Sequence, residues 1–586
     1  MFQNSSRYVS VCSSYKNPKM KMRNSFSRLL ALALLCSCIL PACNKKQEVS
    51  TKVGSGVSIS EIAKKSELLR RVPANTYAMV YWDAASPAYK RFASSPWGQQ
   101  KGLFSVSAEQ FALIDPKSST PDGGLFGALT KSGIVSPEGN GLEKSIGQFA
   151  AFLCPAEQKG FCAGAVFISG DEKLGANLKS LCEELKKNNN AACSDVALAQ
   201  GEGFSLNTSG PGSPTVFIGW KDKYAAVASS SEMLSSLLVS PNLTAPALIS
   251  SEQTDQVFAG MDNLSDMYAF AVADVKQAVK ELAKGDSGGS FDGSSFGKLA
   301  ITTSMTTTPS ACARLTYETS SGDQAALVKT LGGSSHSAAF LKTVSGTPFV
   351  FASVDGKSVA EIAKSILAQS GTPVDAAKEY VSLLSSLKRI GLSANVPALS
   401  QSLLPAPEVL LVLESEDAAA VSAKVKAMLG TQLEENGIPA QWQEMEIAKH
   451  PAQVIDSGMG VGAFLANGEN GLVLLATSKR QLEGALQPGE PGAFANTPRS
   501  QKSLSSGSTV LASYVDFVEV ASLLENLRGL FVQFAPQNSG AQNILDQQTA
   551  EFKKMGVMTT TVSQDKPGMI DVRTFYEMRS GEGSPS

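Results

Sequence analysis

The stretches 77-YAMVYWDAAS-86 and 349-FVFASVDGKS-358 decide the fold. Each is an apolar run with strand character that ends in an aspartate, Asp83 or Asp355, with a serine three positions on, Ser86 or Ser358. Asp and Ser at such places supply acceptors for the N–H groups that a helix start leaves without partners. Pro87 suits the first helical position, and Ser358 three residues before Glu361 gives a capping pattern. Both stretches therefore read as strand, cap and helix, and the chain carries this unit twice.

Working outward, four more units recur in the same order. Residues 163-AGAVFISGDEKLGANLKSLCEEL-185 match 407-PEVLLVLESEDAAAVSAKVKAML-429 as strand then helix. Residues 214–238 match 462–486 as a β-hairpin followed by a helix. Residues 266-DMYAFAVADVKQAVKEL-282 match 508-STVLASYVDFVEVASLL-524, where Asp274 with Gln277 and Asp516 with Glu519 repeat one capping pattern. Residues 296–318 match 552–577, and the R-x-x-Y-E of Arg314, Tyr317 and Glu318 returns as Arg573, Tyr576 and Glu577. Recurrence of five elements at a long period marks an internal duplication. The first copy carries extra loop, including 118-SSTPDGG-124 and 132-SGIVSPEGNG-141, which costs little because closure entropy grows slowly with length.

Strands that run into helices and alternate with hairpins predict an α+β fold: two tandem homologous domains, each a mostly antiparallel sheet with helices packed on one face. The domains are read at 59–340 and 341–580, with a short polar tail at 581–586. Helical stripes such as Phe517, Val520, Leu524 and Leu527 are expected to pack on the sheet.

The N-terminal segment is an address and does not belong to the fold. Lys19, Lys21, Arg23 and Arg28 form a basic region, 29-LLALALLCSCIL-40 a short apolar core, and 40-LPAC-43 ends it. This resembles a bacterial lipoprotein signal, which implies that Cys43 is acylated and starts the mature chain. Cys38, whose lipobox would read LCSC, fits less well; Met20 and Met22 are alternative starts. A plain cleaved signal peptide is the other reading, whereas twelve apolar residues are too few to span a bilayer core of about 30 Å. Asn44 in place of aspartate points to the outer membrane over the inner, and residues 44–58 form a polar tether. The chain beyond the signal resembles a family of bacterial envelope lipoproteins with a duplicated α+β domain whose unit opens on a Pro-Ala-x-Thr strand, here Pro73, Ala74 and Thr76. That resemblance implies no catalytic residues.

An exported chain is free to form disulfides. Cys154 and Cys162 flank PAEQKG between two apolar runs, and Cys182 and Cys193 bracket the loop after a helix, so the expected pairs are Cys154 with Cys162 and Cys182 with Cys193. A zinc site is the competing reading, but no C-x-x-C pair is present. Cys312 is left as a buried thiol. The net charge of -2 offers no basic excess for a nucleic-acid backbone.

One motif argues for catalysis. The GDSGG of 285–289 surrounds the nucleophile in trypsin-like proteases and would make Ser287 that residue. Such a serine needs a base, and the chain's two histidines, His336 and His450, both follow it, against the family order. The Gly/Ser run from 284 to 295 reads instead as a connector. Asp83, Asp274, Asp355 and Asp516 stand at strand ends, where acids of a hydrolase often sit, but capping accounts for them. No phosphate-binding or metal-ligating spacing is present and no cofactor is expected. The expectation is a non-enzymatic, membrane-anchored envelope protein that binds a partner or gives structural support; the alternatives are a periplasmic hydrolase and a solute-capturing lipoprotein.

Overall fold

The computed structural model describes residues 58–95, 97–98, 131–132, 146–155, 162–169, 172–187, 191–208, 215–239, 241–242, 244–261, 266–283, 296–305, 309–318, 338–344, 346–370, 378–397, 407–435, 441–456, 462–487, 509–534, 541–566 and 568–577. Cys43, the tether up to residue 57, Ser287 with its GDSGG loop, His336 and the tail lie outside the described residues.

Among the described residues, twenty strands form one antiparallel sheet. The first ten are β1 Ala78–Asp83, β2 Ile146–Cys154, β3 Cys162–Ser169, β4 Ala191–Asp195, β5 Glu202–Thr208, β6 Thr215–Lys221, β7 Tyr224–Ala228, β8 Met267–Asp274, β9 Phe296–Met305 and β10 Pro309–Tyr317. They pair in the order β4-β5-β6-β7-β3-β2-β1-β8-β9-β10. The second ten are β11 Val350–Asp355, β12 Leu387–Asn395, β13 Glu408–Ser415, β14 Gln443–Ile447, β15 His450–Asp456, β16 Gly462–Asn467, β17 Leu472–Ala476, β18 Thr509–Asp516, β19 Val557–Lys566 and β20 Met569–Glu577. Their order is β14-β15-β16-β17-β13-β12-β11-β18-β19-β20, the first order with each number raised by ten.

The two sets meet through β10 and β20, whose register runs from Ser310 opposite Phe575 to Thr316 opposite Met569. A shared core reinforces this seam: Trp97 packs edge-on to Phe517, with ring centroids 5.5 Å apart, and tilted against Tyr576 at 4.1 Å. The sheet therefore runs unbroken from β4 to β14, and among the described residues the seam is filled rather than open.

Local sequence explains the elements. Along β12 buried Leu387, Arg389, Gly391 and Ser393 alternate with the more exposed Lys388, Ile390 and Leu392, the period of two of a pleated strand. The β16–β17 hairpin turns on Asn470 and Gly471, both at positive φ (57° and 79°), a pair suited to a type I′ turn. A Cβ at Gly471 would lie 2.2 Å from the Ser415 carbonyl oxygen, so only glycine fits there.

Helices lie on both faces of the sheet, which corrects the expectation of one covered face. One face of the first set buries Met79, Phe152, Val166 and Phe270 beneath the helices Ile59–Lys65, Ser231–Leu238 and Glu252–Phe258. The other packs Val80 against the helix Pro87–Ser94, and Phe167 and Ala225 against the helix Leu174–Lys187. In the second set Leu410, Val412 and Leu474 meet the helices Ala338–Lys342 and Lys479–Leu486, while Leu413, Leu465 and Val473 meet Lys378–Ser386 and Ala418–Glu435. Alternation places apolar residues on both sides of these strands, and each side needs a cover. Each fully buried Leu or Phe contributes roughly 1.5–3 kcal/mol.

Two further corrections follow. The boundary read at 340/341 cuts the helix Ala338–Lys342, whose Phe340 is fully buried against Phe351 in the core of the second set. The pairing registers also shift one match: Phe149 faces Phe167 where Ile390 faces Leu413, so β3 aligns with β13 two residues later than the sequence match placed it. An even shift leaves the same side chains on each face, which is why apolar patterning could not detect it.

Both expected disulfides are present. Cys154 and Cys162 face each other at the end of the β2–β3 ladder, with Cα atoms 5.0 Å apart. Cys182 and Cys193 tie the helix Leu174–Lys187 to β4 at 6.0 Å. Cys312 is buried in β10.

Candidate functional site

The four strand-end aspartates are the first candidates, and their carboxylates engage backbone amides. Asp83 Oδ1 accepts from the Ala85 amide at 2.9 Å, and Oδ2 from Gln148 Nε2 at 2.9 Å and the Tyr81 hydroxyl at 3.4 Å. Ser86 Oγ accepts from the Tyr89 amide at 3.1 Å as the N-cap of the next helix. Asp274 Oδ1 accepts from the Gln277 amide at 2.8 Å, and Asp516 Oδ1 from the Val518 and Glu519 amides at 3.0 and 3.3 Å.

Asp355 departs from its partner's arrangement. Its Oδ1 accepts from both the amide and the hydroxyl of Ser358, each at 2.9 Å. The helix there begins at Gly356, so Asp355 is the cap and Ser358 lies within the first turn, a correction to the reading of Ser358 as the capping residue. Gly356 permits the immediate start: a Cβ there would lie 2.3 Å from the Leu387 carbonyl oxygen.

Burial pushes the Asp83 carboxyl above the usual carboxylate range, partly offset by its amide and Gln148 donors. A raised carboxyl at a strand end suits a general acid. Its side-chain partners, however, are Gln148 and the buried Tyr81 hydroxyl, whose ionisation burial opposes, and include no second carboxylate. Asp355 lies opposite Arg389 across β11–β12, where Asp83 lies opposite Gln148 across β1–β2. Arg389 is fully buried and donates to the Thr509 carbonyl at 2.8 Å; burial lowers its pKa against the pull of Asp355 and Glu414.

At the seam, Arg314 holds Asp571 in a two-pronged ion pair, Nε to Oδ1 at 2.6 Å and Nη2 to Oδ2 at 2.8 Å. Its Nη1 donates to the carbonyls of Val257 and Ala259 at 2.9 and 2.6 Å. The pair fastens the helix Glu252–Phe258 and β20 to β10, a structural task. Among the described residues no group of three His, Cys, Asp or Glu is placed to hold a metal ion.

Two of the clefts among the described residues lie beside hairpin turns. One, of about 260 Å³, opens at the β6–β7 turn between Glu172, Trp220, Asp222, Lys223 and Tyr224. Just behind it Arg71 stacks on Tyr224, Cζ 3.8 Å from the ring centroid. Arg71 Nη1 donates to the carbonyls of Leu237, at 3.0 Å, and Val239, and Nη2 pairs with Glu67 at 3.3 Å. The second cleft, of about 330 Å³, opens at the β16–β17 turn, with Lys342, His450, Glu469 and Asn470 around a floor of Leu472, Leu474 and Leu486. An ammonium, an imidazole and a carboxylate over an apolar floor suit the binding of a small polar ligand. Sequence reasoning overlooked this cleft and the Arg71 cluster. The Glu67-x-x-x-Arg71 spacing was a usable signal for the cluster, while the cleft has none, because its residues come from four separate segments.

No family model and no curated protein matches the chain. The solved structure of crystal form I of TP0453 aligns over 42% of this chain and 80% of its own at 12% identity, with a TM-score of 0.22. A likeness at that score carries no argument about fold or function.

Proposed function

We propose that the protein is a lipid-anchored component of a bacterial cell envelope, on the outer membrane, that acts by binding or structural support and not by catalysis. The observation that carries this reading is the state of the strand-end aspartates: each accepts from backbone amides that open a helix or the turn before one, the job that capping alone requires. The LPAC segment supports the anchor at Cys43. The two disulfides fit an oxidising compartment.

The same proposal makes the mature chain two copies of one α+β unit. The repeated strand order supports it, and so does the seam: from Asp274 and Asp516 the ladders lead through Thr302 and Thr561 to Cys312 and Arg573, and these two equivalent positions pair with each other. A second reading, solute capture, is favoured by the cleft at the β16–β17 turn.

Metabolic labelling with an alkyne fatty acid, followed by membrane fractionation, tests the anchor. Cys43→Ser should lose the label and leave the membrane fraction, while Cys38→Ser keeps both; label retained on Cys43→Ser defeats the proposal. For catalysis, peptidase and esterase turnover that disappears in Ser287→Ala would overturn the non-enzymatic reading.

A further inference from the structure

We infer that the cleft at the β16–β17 turn is a binding site for the guanidinium of an arginine-like amino acid. The inference rests on the two-copy reading, because its warrant is what occupies the counterpart position in the first unit. The β1 and β11 ladders set Ala78 against Val350, and the same offset sets Arg71 against Thr343. Burial agrees: Leu68 and Phe340 are both fully buried, as are Val72 and Val344. The turn bonds agree too, since Val72 N donates to Leu69 O and Val344 N to Leu341 O, each at 3.3 Å. From β7 and β17, the β3 and β13 ladders likewise set Tyr224 against Leu472, and the serine-capped helices that follow set Leu237 against Ala485.

Three large side chains of the first unit thus have shorter counterparts in the second: Arg71 becomes Thr343, Tyr224 becomes Leu472 and Leu237 becomes Ala485. All three replacements line the open cleft. Thr343 does not refill the space with a polar group, because its hydroxyl donates back to the Phe340 carbonyl at 2.7 Å. Where the first unit holds its own guanidinium, the second has a cavity large enough for a small ligand.

The surroundings retain what the Arg71 guanidinium uses. The last turn of the helix Lys479–Leu486 presents carbonyls without intrahelical donors and the negative end of the helix dipole. Ala485 O stands where Leu237 O accepts from Arg71. The counterpart of Glu67 is Ala339, and the carboxylate at the cleft comes instead from Glu469 on the β16–β17 turn. Leu472 and Leu486 give the planar group and its methylenes an apolar bed. Lys342 would repel a bare cation, but it fits the α-carboxylate of a free amino acid, so the ligand is a zwitterion with a guanidinium at its far end.

Isothermal titration of the purified full chain tests this, using L-arginine, L-citrulline and N-acetyl-L-arginine amide. L-arginine should bind saturably, and citrulline, which lacks the charge, should bind at least about tenfold more weakly. Weaker binding of the blocked arginine supports the Lys342 contact; binding equal to that of free arginine overturns the zwitterion and leaves the guanidinium. Glu469→Gln, on an exposed turn, should weaken arginine about tenfold. The double variant Thr343→Arg, Leu472→Tyr should rebuild the first unit's plug, abolish binding and raise the thermal midpoint. If that variant folds with a raised midpoint while the wild type binds no arginine, the ligand assignment fails and the two-copy reading stands. If it unfolds at a lower midpoint, the equivalence of the two positions fails. Neither result touches the lipid anchor.

Discussion

Removing the carboxylate of Asp571 should damage the protein more than a surface ion-pair mutation would. Arg314 and Asp571 side chains are only 7% and 10% exposed, and two charge-assisted bonds of 2.6 and 2.8 Å join them. Asp571→Ala leaves the Arg314 guanidinium in the seam against the neutral carbonyls of Val257 and Ala259, without the carboxylate that paired it. Breaking one side of a buried pair costs about 3–5 kcal/mol, because the remaining charge stays desolvated. Equilibrium urea unfolding followed by circular dichroism measures the loss. The double variant Arg314→Met, Asp571→Leu should recover most of it, since the desolvation cost vanishes together with the attraction. A loss under about 1 kcal/mol for Asp571→Ala, or no recovery in the double variant, would refute the account of the seam. The pair also carries a pH signature. Burial pushes the Asp571 carboxyl up, but the hydrogen bond and charge of Arg314, helped by Arg573, outweigh it and hold the carboxyl below its ordinary range. A depressed carboxyl contributes stability that is present above the unfolded pKa of about 3.9 and is lost as pH falls toward the folded value. Wild type should therefore lose stability in that acid window more steeply than the Met/Leu double variant.

Other outcomes follow from the same geometry. Asp274→Ala should cost about 1 kcal/mol by urea unfolding and Asp274→Asn distinctly less, since asparagine still caps. Replacing Cys182 and Cys193 by serine should cost about 2–3 kcal/mol, the loop-closure value for an 11-residue separation, and the difference should vanish when wild type and variant are both measured under reductant, which also opens Cys154–Cys162. The Tyr81 hydroxyl, held un-ionised by burial and then by the nearby Asp83 charge, should stay silent in an ultraviolet absorbance titration that ionises exposed tyrosines; Tyr81→Phe should leave the observed titration unchanged. Arg71→Lys should destabilise, because an ammonium cannot stack on Tyr224 while reaching both helix-end carbonyls; a thermal midpoint equal to wild type would contradict that.

The linear sequence determined what local chemistry controls. Apolar runs ending in Asp fixed where strands stop and helices begin, and Asp274 and Asp516 bind the amides that capping rules assign them. Short separations along β-hairpin and helix-to-strand connections set the two cysteine pairs. The order of elements, read twice, anticipated an antiparallel α+β architecture. Tertiary structure decided the rest, because those features depend on residues that only folding brings together. Helices cover both faces since neighbouring strands need covering on each side, and a segment's own periodicity records only its own buried stripe. The even register shift between β3 and β13 is invisible to a period of two. Arg314 meets Asp571 across 257 residues, and the cleft at the β16–β17 turn is lined by residues from four separate segments that only folding brings together. No spacing along the chain encodes that convergence.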